Sequence, residues 1–168
     1  KLSVELTAQA IEKGSILAKL RSNRDLFYGT TEMAADPQAA IAQAEREATA
    51  YSESIMWTEQ LGDFYNYNGD KDRAIKAYSK CIINGHYAPI YDIALIYLNN
   101  GDEEYYKTLM ELGIKLGVPD CLILGFENEH RWESLSGNER LDIYRKMKRN
   151  LTQGIAFGSG VCAYILAD

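Results

Sequence analysis

The sequence predicts an all-α fold in which antiparallel helix hairpins stack as an α-solenoid of about seven or eight helices. Three observations lead there. The triplet Asn68-Gly69-Asp70 returns 32 residues later as Asn100-Gly101-Asp102. Apolar residues on either side of both triplets follow a helical spacing. No stretch alternates apolar and polar residues for long enough to make a strand, and only three prolines interrupt the chain.

Residues 6–13, Gly14 and residues 16–20 read as a helix end, a tight corner and a new helix. Residues 23–35 are the least periodic part and are expected to be a loop with some helix. Asp36-Pro37 is a helix start, with the aspartate as cap and the proline in the first turn. Leu61-Gly62-Asp63-Phe64-Tyr65 matches Ile93-Ala94-Leu95-Ile96-Tyr97 at a step of 32. In each copy a small residue lets a neighbouring helix approach, and a tyrosine comes three positions later on the same face.

The two triplets then each end one helix and start the next. Glycine takes the positive φ after the helix end, and aspartate caps the second helix. The second helices are amphipathic, through Ala74, Ile75, Tyr78 and Ile82 in one copy and Tyr105, Leu109, Leu112 and Ile114 in the other. They close at Gly85 and Gly117, again 32 apart. A distorted third copy starts at Cys121, turns at Gly137-Asn138 and continues as a helix from 139 to about 153. Residues 161–166 begin one more helix close to residue 168.

The expected organisation is therefore one domain, 1–168. Its better-defined copies are 53–84, 85–116 and 117–157, after degenerate N-terminal hairpins over 1–52 and before a partial C-terminal helix over 160–168. A hairpin cannot bury its apolar face alone, so a constant interval between turns keeps each one in register with the last.

Leu61, Gly62, Tyr65, Ala74 and Tyr78 resemble the tetratricopeptide signature, and Gly69 fits its turn. The corner Gly85-His86-Tyr87-Ala88, before Tyr91, Ile93, Ala94 and Tyr97, is similar to the related Sel-one-like repeat. Ala94 stands where Gly62 did, and Tyr106 replaces the small Ala74. The resemblance is strongest across 53–117. It implies a concave face lined by the first helix of each hairpin, used to hold another protein. Bacterial members of this superfamily include immunity proteins that neutralise a toxin, and a small acidic chain is compatible with that role.

Composition narrows the function. Apolar residues at 46% suffice for a buried core, and 18 basic against 24 acidic residues leave a net charge of −6. No half of the chain is basic, which argues against a nucleic-acid surface. Arg145, Lys146, Lys148 and Arg149 read as a solvated helix face near a C-terminus. No apolar run is long enough to span a membrane, so the expected setting is soluble, cytoplasmic or periplasmic. Starting at Lys1 rather than Met, the chain reads as a trimmed or processed product, which leaves room for a removed targeting segment.

Chemistry is sparse. Cys81, Cys121 and Cys162 have no metal or disulfide spacing and are expected to be small buried side chains. Glu127-x-x-His130 is half of a carboxylate di-metal site, but His86 has no glutamate three residues before it. Cys121 and His130 would sit about 13 Å apart along one helix, beyond hydrogen-bond reach. Gly158-Ser159-Gly160 is not a nucleophile elbow, and Asn150-Leu151-Thr152 is a sequon at near-chance frequency. No catalytic residue, metal or cofactor is expected.

The expected function is non-enzymatic binding of a protein with a basic surface. The lining residues would be Asp63, Asn66, Tyr67, Tyr91, Asp92, Asn99, Glu127 and His130, favoured because tyrosine combines large area with a polar tip. The alternatives are a structural piece of a longer solenoid, suggested by the interrupted last copy, and a metal-dependent enzyme using Glu127 and His130. Partner identity, compartment and oligomeric state are not fixed by the sequence.

Overall fold

The computed structural model describes residues 2–52 and 54–124, and from the remainder 136–138, 141, 142, 145, 148, 149 and 152. Eight helices are described: α1 (Leu2–Glu12), α2 (Ile16–Tyr28), α3 (Pro37–Ala50), α4 (Ile55–Tyr67), α5 (Lys71–Ile83), α6 (Ile90–Asn99), α7 (Glu103–Lys115) and α8 (Pro119–Leu124). There is no strand among the described residues. The chain divides into two compact units, Lys1–Asn84 and Gly85–Asp168, and the division falls where one expected copy gives way to the next.

The two triplet turns are built alike. Asn68 and Asn100 cap α4 and α6, and Gly69 and Gly101 take φ of 84° and 82°. In the first turn, the Gly69 and Asp70 amides donate back to the Asn66 and Tyr65 carbonyls at 3.1 and 2.8 Å. In the second, Gly101 and Asp102 do the same to Leu98 and Tyr97 at 3.0 and 2.9 Å. This pairing satisfies carbonyls left over at a helix end, and it needs a residue that tolerates the left-handed region. The aspartates then turn to the next helix: Asp70 accepts from the Arg73 amide and Asp102 from the Tyr105 amide. Asp36 caps α3 by accepting from the Ala39 amide at 2.9 Å, with Pro37 next to it in the first turn.

In the first unit α1 packs on α2, α2 on α3, α3 on α4 and α4 on α5, while α2 also touches α4. Ala40 and Ala44 of α3 are fully buried, so α3 can lie close to its neighbours. The Tyr78 ring of α5 lies directly on Gly62 of α4, where a Cβ would meet its Cδ1 at 2.5 Å. In the second unit α6 packs on α7 and α7 on α8. Here Gly113 lets Cys121 approach, since a Cβ at 113 would meet the Cys121 Cβ at 2.9 Å.

Burial repeats at the same step of 32. Thr58, Leu61, Gly62 and Phe64 are buried on α4, as are Ile90, Ile93, Ala94 and Ile96 on α6. Ala74, Tyr78 and Cys81 are buried on α5, and Tyr106, Met110 and Gly113 on α7. The α7 face therefore differs from the expected one: Tyr105 is 58% exposed and Leu112 42%. Position on the wheel overrides hydropathy here. Tyr105 instead stacks at the surface on Tyr97, with centroids 5.1 Å apart and rings at 19°.

Two further expectations are revised. The helix of α2 continues through residues 23–28, and the loop is confined to residues 29–36. Its buried stripe runs Leu20, Asn23, Phe27, and the polar residue in the middle hides the period. In the third copy, residues 137–138 are already helical, and Gly137 does not take a positive φ. The helical residues 141, 142, 145, 148, 149 and 152 fall within the expected helix from 139 to 153. Arg145, Lys148 and Arg149 are exposed on it, with Arg145 paired to Asp142 at 3.3 Å.

Candidate functional site

An aromatic cluster joins the C-terminal halves of α2 and α4. Phe27 and Phe64 are fully buried and stack face to face, centroids 4.0 Å apart and rings within 3° of parallel. Above them Tyr28 and Tyr67 meet edge to face, 5.1 Å apart at 90°. Tyr67 also sets its edge against Phe27 at 5.5 Å. The spacing along each helix explains this layering: residues 27 and 28, and 64 and 67, straddle the boundary between the buried stripe and the solvent face. The outer rings are open, Tyr67 being 72% exposed and Tyr28 47%. Their position is nonetheless set by the phenylalanines beneath, so little side-chain freedom is left to lose on contact.

Carboxylates border the rings. Asp63 accepts a hydrogen bond from the Tyr78 hydroxyl at 2.9 Å. The residue is exposed by surface area, yet the chain packed around its carboxyl lessens the hydration of that group, and its pKa is pushed above the ordinary range. Glu59, one turn earlier, pushes the same way, while the Tyr78 bond and Arg24 oppose it. Lost hydration also raises the Tyr28 hydroxyl, with Asp63 and Tyr67 adding to the effect and Arg24 opposing it. Asp63 thus places a carboxylate at the margin of the patch.

A raised folded-state pKa means that Asp63 favours folding below its unfolded value, near pH 4. That contribution is lost as pH rises through the folded value. Asp63→Asn keeps an oxygen to accept from Tyr78 and removes the charge. It is therefore expected to be at least as stable as the parent at pH 7 and to flatten the fall in stability above about pH 4. Urea denaturation of both proteins at several pH values checks this.

The expected lining residues divide between the units. Asp63, Asn66 and Tyr67 share one face of α4, and the structure adds Tyr28 of α2 to them. Asn66 is tied up, its side-chain oxygen accepting from the Lys71 ammonium at 2.7 Å. Tyr91, Asp92 and Asn99 lie on α6 in the second unit. The Tyr91 hydroxyl is raised by lost hydration first, then by Tyr106, Asp120 and Asp92, so it lies among groups of α6, α7 and α8. Glu127 and His130 fall outside the described residues. Tyr28 escaped the sequence reading because residues 23–35 carry no clean period; the aromatic pair at positions 27 and 28 was the signal present there.

The cysteines at 81 and 121 are buried, and burial pushes their thiols to about 11 and about 12. Both are protonated at neutral pH and unsuited to nucleophilic work. Cys162 is outside the described residues. No group of three or more metal-ligating side chains gathers among the described residues. None of the described helices is long and apolar enough to cross a membrane.

No family model, curated protein or solved structure matches this chain.

Proposed function

We propose that the chain is a non-enzymatic, helical-repeat binding module that takes a protein partner on the solvent face of the first helix of its hairpins. The observation that carries this reading is the Tyr28–Tyr67 pair, broadly exposed yet held in place by buried phenylalanines. Exposed aromatic rings are favoured at interfaces, because they add contact area at low entropic cost and keep a polar tip for water or a partner. Asp63 beside them favours a basic partner, with association that weakens as salt is raised.

The test uses a partner co-purified from the source cells with the intact chain and measured by titration. Tyr67→Ala is expected to weaken binding about tenfold or more, as interface tyrosines do when truncated. Asp63→Lys is expected to slow association. Unchanged affinity in both variants, with helix content intact by circular dichroism, would show that this face is not the one used.

A further inference from the structure

A second surface of the first unit has the opposite charge. A groove of about 550 Å³ runs between α3 and α5, across α4. Its α5 wall carries Arg73, Lys76 and Lys80, which recur at helical spacing and so stand in a row. Its opposite wall is small and uncharged at Ala48 and Thr49 of α3 and at Ser52 just beyond that helix, with Glu45 at one end. The groove continues into a second hollow that shares Ser52, Thr58 and Lys80 and reaches Asn84. From Arg73 to Asn84 is about 16 Å along the helix, the span of about five extended residues.

The charges in this groove are unevenly committed. Glu45 is used within the fold: it accepts from the Tyr65 hydroxyl at 2.6 Å and pairs with Arg73 at 3.8 Å. Arg73 lies over the Tyr65 ring at 4.4 Å and is also held by Asp70. Loss of hydration and the bond to Glu45 push the Tyr65 hydroxyl to about 12, so it stays a donor at any working pH. Lys76 and Lys80 are exposed and have no carboxylate partner among the described residues. In a chain of net charge −6, this is a local positive strip with a shaped floor.

We propose that the α3/α5 groove binds an acidic peptide segment in extended conformation, with carboxylates at alternate residues paired to Lys76 and Lys80. The spacing favours this occupant. Residues four apart on a helix stand about 6 Å apart, and alternate side chains of an extended strand point the same way about 6.6 Å apart. Thr49 and Ser52 line the opposite side of the same groove; the Thr49 hydroxyl already donates to the Glu45 carbonyl at 2.8 Å, so toward a peptide backbone it serves as an acceptor for an N–H. A small anion would engage a single ammonium and leave most of the groove unfilled.

The inference is independent of the tyrosine face, and the test separates the two. A short fluorescent peptide alternating glutamate and alanine is titrated into the intact chain at low salt and followed by anisotropy. Saturable binding is expected, at least about tenfold weaker for the glutamine counterpart and for Lys76→Glu/Lys80→Glu. The milder Lys76→Gln/Lys80→Gln variant must weaken it too, and Tyr67→Ala must leave it unchanged. Circular dichroism shows that the variants keep their helices. Equal binding by the charge-reversed variant, equal binding of the glutamine peptide, or displacement by inorganic pyrophosphate at lower concentration than the unlabelled peptide would each overturn the assignment.

Discussion

Gly62→Ala is expected to destabilise the first unit by about 2 kcal/mol, although alanine is the better helix former. In a helix interior the exchange alone is favourable by about 1 kcal/mol. Against that, the new methyl group would occupy the space of the Tyr78 ring, meeting Cδ1 at 2.5 Å and Cζ at 3.0 Å. Tyr78 is buried and cannot swing aside cheaply, because its hydroxyl is anchored on Asp63. Forcing an extra methyl into such a contact costs about 1–3 kcal/mol, and losing the anchored hydrogen bond adds about 1 kcal/mol. The clash therefore outweighs the propensity. A urea titration measures the net value, and a double-mutant cycle isolates its cause. In a Tyr78→Leu background, Gly62→Ala should become neutral or stabilising. A stabilising effect in the parent itself would mean that α5 does not sit on α4 through this glycine.

Asn23→Asp changes almost no volume and is expected to be the most damaging single exchange in the unit, costing about 3–5 kcal/mol at pH 7. Asn23 is buried on α2, where its amide nitrogen donates to the Ala40 carbonyl of α3 at 3.1 Å and to Gln60 Oε1 of α4 at 3.2 Å. Gln60 returns the bond to α2 by donating to the Leu20 carbonyl at 2.8 Å. A backbone carbonyl can only accept, so the amide orientation is settled. An aspartate would point an oxygen at two acceptors, buried and without a donor. It would keep its proton to a higher pH than in the unfolded chain. The damage would thus be least in acid and would grow as pH rises from about 4. Asn23→Leu serves as reference: it should cost about 1–3 kcal/mol for the stranded Gln60 and Ala40 groups, with no such pH dependence. Thermal melts of both variants at pH 4 and pH 7 would decide; parallel losses at both would contradict the network.

The network also shows why the sequence was readable in some places and opaque in others. The turns at Gly69 and Gly101 and the cap at Asp36 depend on residues within five positions of one another, and they fall where the sequence places them. The buried stripe of α2 contains Asn23, a polar residue whose partners lie 17 and 37 positions away. Nothing local shows where its amide nitrogen finds acceptors, so the segment resembles a loop. The same blindness hid Tyr28, and with it half of the aromatic pair on the candidate face. On α7, adjacent tyrosines at 105 and 106 give hydropathy nothing to choose between, and Leu112 is more apolar than Gly113, yet Tyr106 and Gly113 face inward.

The all-helical class, the places where helices stop and start, and the small positions at which they approach are written in the order of residues. Those properties come from φ preferences, caps and local hydrogen bonds, whose partners are near in the chain. Packing settles the rest: which carboxylates are consumed within the fold, as Glu45 is by Tyr65 and Arg73, and which charges and rings stay open. Exposure and pairing depend on groups that only the folded arrangement brings together, so the pairing of Tyr28 with Tyr67 and the lysine-lined groove become visible in three dimensions and not before.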